Sequence, residues 1–304
     1  MSQRPRLPRH EDKRMNDFEP HREFLLGVAY RMLGSLAEAE DIVQDAFLRW
    51  SGVDASVIEN PRAHLAKIVS RLCLDRMKSA AARREQYVGM WLPDPLVQPV
   101  EAASVDDLSV ALLLSLERLS PLERAAFLLH DVFDMDYPSL AETLGRSEAA
   151  CRQLATRARE HVRNGRPRFT PSPRAAARFA EAFRAALTGK LDEFAALLAD
   201  DAVVYSDGGG KRLAPLKPIF GKEKIVRFFE GTARKGIFGP SLRSEPVRIN
   251  GMPGFVIWTD AGPETMSLEI ENERIVAIYA VRNPDKLRHL AKRSEAVGND
   301  GDGR

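Results

Sequence analysis

The spacing of apolar residues changes character once along this chain, and that change constrains the architecture more than any other feature. From Asp17 to about Glu85, and again from Val105 to about Arg168, apolar residues recur at three and four positions, the helical period; from Ala202 onward short runs alternate as strands do. Two proline-bearing segments punctuate the pattern, YVGMWLPDPLVQPVEAAS at 87–104 and RPRFTPSPR at 166–174. The 304 residues are therefore read as multidomain. A basic tail covers 1–16, helical domains cover 17–86 and 105–168 with a linker at 87–104, a short linker covers 169–173, an α+β domain covers 174–290, and a tail covers 291–304.

Within the helical part, one helix is expected from about Pro20 to Leu33, ending at Gly34, and a second from near Ser35 to Trp50. The second carries Ile42, Val43, Ala46, Phe47 and Trp50 on one face and Glu38, Asp41 and Asp45 on the other. Pro61 opens a third helix, with Leu65, Val69 and Leu72 inward and Lys67, Arg71 and Lys78 roughly opposite. Further helices are expected through Leu116 and from Pro121 to Val132. Then comes a tight pair, Tyr137–Leu144 and Glu148–Arg163, with helix-turn-helix spacing. Gly145 suits the left-handed turn and Ser147 the cap. On the last helix Ala150, Leu154, Ala158 and Val162 form the apolar set, with Arg152, Arg159 and Arg163 on a different face.

The net charge of +2 hides a segregation. Residues 17–50 hold three basic and seven acidic residues, 60–86 seven basic and two acidic, and 146–168 again seven and two. Two basic helices some sixty residues apart fit two contacts with a polyanion, because Lys and Arg neutralise phosphates and release counterions.

Beyond the second proline segment, two amphipathic helices broken at Gly189 precede a strand, AVVYS, that ends in Asp207. A helix from Lys222 to about Arg234 follows, and then the strands LRSEPVRI, GFVIWTD, ETMSLEIE and RIVAIYAV, the first two joined by an Asn250-Gly251 turn. Helices followed by a curled antiparallel sheet describe an α+β cone. Tyr205, Phe255, Trp258, Met266 and Tyr279 are candidates to line its cavity.

Composition excludes several functions. Cys73 and Cys151 are too few and too far apart for a metal knot, and the six histidines show no metal-binding spacing, so no metal and no cofactor are expected. The apolar stretches fall short of the roughly 18 to 20 residues that span a bilayer, and the basic N-terminus has no apolar segment after it. A cytoplasmic protein without membrane contact is expected.

FLLGVAYRMLGSLAEAEDIVQDAFLRW, followed by NPRAHLAKIVSRLCLDRMKS, closely resembles region 2 of extracytoplasmic function sigma factors, and LSPLERAAFLLHDVFDMDYPSLAETLGRSEAACRQLATRARE resembles their region 4. The remainder resembles a SnoaL-like domain of the nuclear-transport-factor-like cone superfamily. YVGMWLPDP, DGGGK at 207–211 and NPDKL at 283–287 point to the subgroup in which that domain is fused; Asp94 stands where Glu is expected.

The resemblance implies two all-α sigma domains, a region 2 helical bundle and a region 4 helix-turn-helix, plus the cone. It implies core RNA polymerase and promoter DNA as partners. Glu40, Asp41, Gln44, Asp45 and Phe47 then dock on the clamp helices of the largest subunit, with the flap as a further polymerase contact. The loop 51–60 ending in Asn60, with Arg62, His64, Lys67, Arg71 and Lys78, captures the unwound minus-10 element. Ser147, Arg152, Gln153, Arg157 and Arg159 read the minus-35 element in the major groove. Regulation in cis is implied for the cone, through Tyr87 and Trp91 of the linker, Asp207, Gly208, Gly209, Gly210 and Lys211, and Asn283, Pro284, Asp285, Lys286 and Leu287. The alternatives are a ligand-sensing cone that takes a small molecule and a catalytic cone. The strands offer Asp260, Glu269 and Glu271 but no histidine, which argues against general acid-base catalysis, so no catalytic residue is assigned.

Overall fold

The structure, a computed structural model, describes residues 10–53, 58–100, 110–162, 173–187, 189–236 and 243–290. Part of the expected minus-10 loop (54–57), the end of the 87–104 linker, Arg163, residues 169–172 of the short 169–173 linker and the tail from 291 lie outside them. The chain forms two compact units, Met1–Arg83 with Ser115–Asn164 and Arg84–Leu114 with Gly165–Arg304.

The helices are α1 (His10–Leu33), α2 (Leu36–Ser51), α3 (Pro61–Glu85), α4 (Val110–Glu117), α5 (Pro121–Phe127), α6 (Tyr137–Leu144) and α7 (Glu148–Val162). Local chemistry sets their ends. Gly34 turns at φ 69° after α1, and Ser35 caps α2 by accepting from the Glu38 amide. Asn60 Oδ1 caps α3 through the Ala63 amide at 3.0 Å. Ser120 and Glu123 close a capping box at α5, with Pro121 in the first turn.

The first helix extends upstream of its expected start, with Pro20 inside it. An internal proline removes one backbone bond. Phe18, upstream of it, is buried and meets Phe47 edge-on at 5.2 Å, so packing holds the extra turns in the helix. The expected helix Pro121–Val132 is likewise modified: Leu128–Val132 widens into a π turn that ends before Asp134 at φ 55°.

In the first unit, Arg124 is almost fully buried. Its Nε donates to the Leu116 carbonyl at 2.8 Å, and its Nη1 to the Met32 carbonyl and to Glu117, each at 2.7 Å. Burial draws the guanidinium down to about 9, so it remains a cation at neutral pH. It ties the end of α1 to α5.

The second unit holds α8 (Pro173–Leu187), α9 (Asp192–Leu197) and α10 (Lys222–Arg234) against a seven-stranded sheet. Its strands are β1 (Val97–Gln98), β2 (Leu198–Asp207), β3 (Ile219–Phe220), β4 (Arg243–Ile249), β5 (Met252–Thr259), β6 (Gly262–Glu271) and β7 (Arg274–Val281), in the order β1-β4-β5-β6-β7-β2-β3. The expected α+β cone is present, with two differences. β2 runs parallel to β7, where an antiparallel sheet was expected, and the linker contributes β1 to the edge beside β4. After β7 the chain makes a 3-10 turn at Pro284–Lys286 and then helical residues 288–290.

Alternation along the strands gives the sheet two buried faces. Phe255, Met266, Leu268 and Ile278 pack with Phe183, Phe194 and Phe229 of the helices. Val247, Val256, Ala277 and Tyr279 lie in a separate cluster with Leu92, Val110, Leu287 and Leu290. The five residues expected to line one cavity are thereby split, Phe255 and Met266 on the helix face and Tyr205, Trp258 and Tyr279 on the other. The helix side is filled: the Phe183 ring lies 5.5 to 5.8 Å from those of Phe194, Phe229 and Phe255. Among the described residues no helix is long and apolar enough to cross a membrane.

Candidate nucleic-acid interface and linker-binding site

Burial of Ala39, Ile42, Val43, Ala46 and Trp50 turns the opposite side of α2 outward. Glu40, Asp41, Gln44 and Asp45 are exposed there, beside Leu48, which is 61% exposed. Phe47 is half-buried against Phe18. Glu38 departs from the expected acidic face and instead approaches Arg76 of α3, at 3.8 Å.

The expected minus-10 residues do not form one open stripe. Asn60 is the cap of α3, Arg62 stacks on the Phe24 ring with its guanidinium carbon 4.1 Å from the centroid, and His64 lies beside Trp50. Lys78 pairs with Asp75 at 2.9 Å. Lys67 bonds Glu142 of α6, and Arg71 donates to the Glu142 carbonyl at 3.1 Å and the Thr143 carbonyl at 3.3 Å. A cation at the last carbonyls of a helix is favoured by geometry and by the helix dipole. Lys67 also holds the Glu142 carboxyl below its ordinary range. Lys67 and Arg71 thus spend part of their donors on the last turn of α6.

The helix-turn-helix has the expected geometry. Gly145 is left-handed at φ 63°, and Ser147 Oγ accepts from the Ala150 amide at 3.2 Å. The buried set of α7 is Cys151, Ala155, Ala158 and Val162, so Ala150 and Leu154 are corrected: a strict four-residue step drifts off a 3.6-residue helix. Gln153 and Arg157 are exposed. Arg152 pairs with Glu148 at 3.0 Å and lies 4.3 Å over the Tyr137 ring. Arg159 Nε donates to Asp131 at 2.7 Å, which raises its already high pKa, with a smaller push from Tyr137.

In the second unit, three separate sequence motifs converge. Asp207, fully buried, accepts from the Tyr87 hydroxyl at 2.6 Å and from the Leu92 amide at 3.0 Å, and pairs with Lys286 at 2.9 Å. Burial first and then Asp207 push the Tyr87 phenol up, so it stays a donor. Asn283 Nδ2 donates to the Tyr87 oxygen at 2.7 Å. Lys286 also donates to the Leu92 carbonyl and sits 4.1 Å over the Trp91 ring. Lys211 pairs with Asp285 at 2.5 Å, and Lys211 and Arg288 together lower the Asp285 carboxyl. Pro284 opens the 3-10 turn and Leu287 is buried behind it.

The glycines are required by contact. A Cβ on Gly208 would stand 2.3 Å from the Arg212 carbonyl oxygen and one on Gly209 2.2 Å from Asn283 Nδ2, while Gly209 and Gly210 have φ of 58° and 71°.

Sequence reasoning missed Asn250. Beyond its place in the β4–β5 turn, its Oδ1 accepts from the Leu96 backbone N–H at 2.7 Å and its own backbone N–H donates to the Leu96 carbonyl at 2.9 Å. Glu142, Asp131 and Tyr137 were also missed. A helix-turn-helix motif fixes the turn and says nothing of what holds its arginines.

Residues 18–83 match sigma-70 region 2, and residues 109–162 match sigma-70 region 4. The chain is 37% identical over 293 residues to the ECF RNA polymerase sigma factor SigJ of Mycobacterium tuberculosis, covering 90% of this chain and 93% of that protein. A crystal structure of the M. tuberculosis SigJ superimposes with a TM-score of 0.74 at 35% identity, over 90% of this chain and 98% of the other. The probable ECF sigma factor SigI of the same species is 41% identical over 153 residues, 48% of this chain and 53% of SigI. The chain belongs to the extracytoplasmic function sigma factors, transcription initiation factors that direct RNA polymerase to promoters through sigma-70 regions 2 and 4.

Proposed function

We propose that the cone regulates this sigma factor in cis by holding the segment that joins region 2 to region 4. The convergence of the linker, DGGGK and NPDKL on the buried Asp207 carries this reading. Tyr87 and Trp91, the 207–211 loop and residues 283–287 form the holding site. Release of the linker shifts the population from the held form to one open to polymerase and promoter.

Polymerase binding is assigned to the outward face of α2, with Glu40, Asp41, Gln44, Asp45 and Phe47 on the clamp helices, and region 4 on the flap. Asn60, Arg62, His64, Lys67, Arg71 and Lys78 are assigned to the minus-10 element, and Ser147, Arg152, Gln153, Arg157 and Arg159 to the minus-35 element. Asn60 and Ser147 serve as helix caps as well, but there their side-chain oxygens accept, which leaves the Asn60 Nδ2–H and the Ser147 O–H as donors for phosphate.

A cone that senses or converts a small molecule has less support. Phenylalanine rings fill its helix side, and Glu269 is bonded to Tyr279 at 2.5 Å. A solvent-open cleft of about 750 Å³ lies instead at the start of α10, beside Asp200, Phe220, Lys222 and Arg227.

The test compares transcription by core polymerase, across a promoter library, with the native chain and with Asp207→Ala and Lys286→Ala. Altered output at equal core occupancy supports regulation through the linker site, and equal output from all three refutes it. Point variants are preferable to a chain ending near residue 170, which would uncover Leu92 and Val110.

A further inference from the structure

One cluster beside the minus-35 helix has no role in the reading above. Tyr137 opens α6 but is absent from that helix's buried set, Leu140, Thr143 and Leu144. Its side chain is instead built into the arginines of α7. The Arg152 guanidinium carbon lies 4.3 Å from the ring centroid, and Arg159 Nη2 is 3.4 Å from the hydroxyl. The His130 ring lies 4.0 Å from that of Tyr137, centroid to centroid, and His130 Nδ1 is 2.7 Å from the Met135 carbonyl oxygen. Glu148 fixes the far end of Arg152 and Asp131 the Nε of Arg159. Two of the α7 side chains assigned to DNA are thus held through one tyrosine, while Gln153 and Arg157 stand exposed.

An arginine that wanders among rotamers loses that freedom when it binds, and the loss subtracts from affinity. A guanidinium held over a ring face, where the quadrupole attracts it, has lost much of that freedom beforehand and keeps its unused N–H donors for a partner. Packing alone would be served by leucine; the ring face and the hydroxyl are what reach the two arginines.

We propose that Tyr137 is a positioning residue of the minus-35 contact, its ring ordering Arg152 and its hydroxyl steadying Arg159 before DNA arrives. The inference rests on α7 being the minus-35 reader.

Arg159 is a poor probe, because Asp131 Oδ2 is buried without a hydrogen bond and removing the arginine would leave that carboxylate uncompensated. The experiment therefore uses holoenzyme assembled with the full-length chain, a duplex carrying the minus-35 element, and the variants Tyr137→Phe, Tyr137→Leu, Arg152→Ala and the Leu/Ala double. Core affinity is measured in parallel. Tyr137→Phe keeps the ring and should bind within about twofold of the native chain, whereas Tyr137→Leu should weaken promoter binding about two- to fivefold, the range of an exposed cation-π contact. The double variant should be at most about twofold weaker than Arg152→Ala alone, because the ring contact is already gone there and only the hydroxyl's weak hold on Arg159 is left to lose.

Full additivity of the two losses, or a Tyr137→Leu variant that binds as the native chain does, overturns the proposal. If Arg152→Ala leaves promoter binding unchanged, the assignment of Arg152 as a reader fails, and the Tyr137 inference falls with it. If Tyr137→Leu also lowers core affinity, a pentafluorinated phenylalanine at 137 replaces it. That ring keeps the shape but loses the negative face, so it should bind the promoter more weakly than Tyr137→Phe, and equal binding overturns the proposal.

Discussion

At Asp207 a carboxylate has been taken wholly out of water, and three donors meet it, from Tyr87, Leu92 and Lys286. Breaking a buried pair by removing one partner costs about 3–5 kcal/mol, because the other charge is left uncompensated. Asp207→Ala should therefore lower the stability of the second unit by that order, read from urea denaturation followed by tryptophan fluorescence. Adding Lys286→Met should restore part of the loss, since the stranded cation is then gone. A single-variant loss below about 1 kcal/mol would mean that water already reaches the pair. Asp207 was visible in the sequence because three glycines follow it, a run that allows close approach. Asn250 was not. Its Asn-Gly context announces a turn, and nothing local reveals that the same side chain holds Leu96, 154 positions away.

Between elements, α3 and α6 use residues that were assigned to promoter DNA for another purpose. Lys67 and Arg71 close on the last turn of α6 through Glu142 and Thr143. Lys67 is already neutralised by Glu142, so α6 competes with DNA phosphates for its charge. Glu142→Ala should raise the affinity of the polymerase-free chain for single-stranded minus-10 DNA, by no more than about fivefold because an exposed ion pair is a weak lock. Fluorescence anisotropy checks it, and unchanged affinity would count against the competition. Lys67 depresses the Glu142 carboxyl, so the pair is intact at neutral pH and is lost only as pH falls through that depressed value, below the ordinary 4.5. The difference between native chain and variant should accordingly persist across the neutral range and vanish in acid. Periodicity placed α6 and the start of α3, and it placed β4 to β7 to within two residues at either end as apolar runs bounded by turn residues, since both faces of the sheet are buried. It did not reveal β1 and β3, each two residues long and paired through backbone groups that have no sequence signature.

For the whole molecule, connectivity is what makes the linker decisive. The chain leaves the first unit at Arg83, enters the second at Arg84, and returns to the first at Ser115. The link between regions 2 and 4 is thereby part of the cone's structure, through β1, Leu92 and the Asp207 site. A flexible tether would leave its amides in water. Here the Leu92 amide is bonded to Asp207 and the Leu96 amide to Asn250, so both should exchange slowly with solvent in the isolated chain. If polymerase binding requires the linker to leave the cone, adding core enzyme should raise exchange at Leu92 and Leu96 while the β6–β7 ladder, whose bonds do not involve the linker, stays protected. Hydrogen exchange with mass spectrometry on peptides spanning 87–100 and 262–281 reads both. Exchange rising in both segments would mean that the cone unfolds rather than lets go. Unchanged protection at 87–100 in a transcriptionally active complex would mean that the cone stays attached during initiation, and regulation by linker release would be wrong.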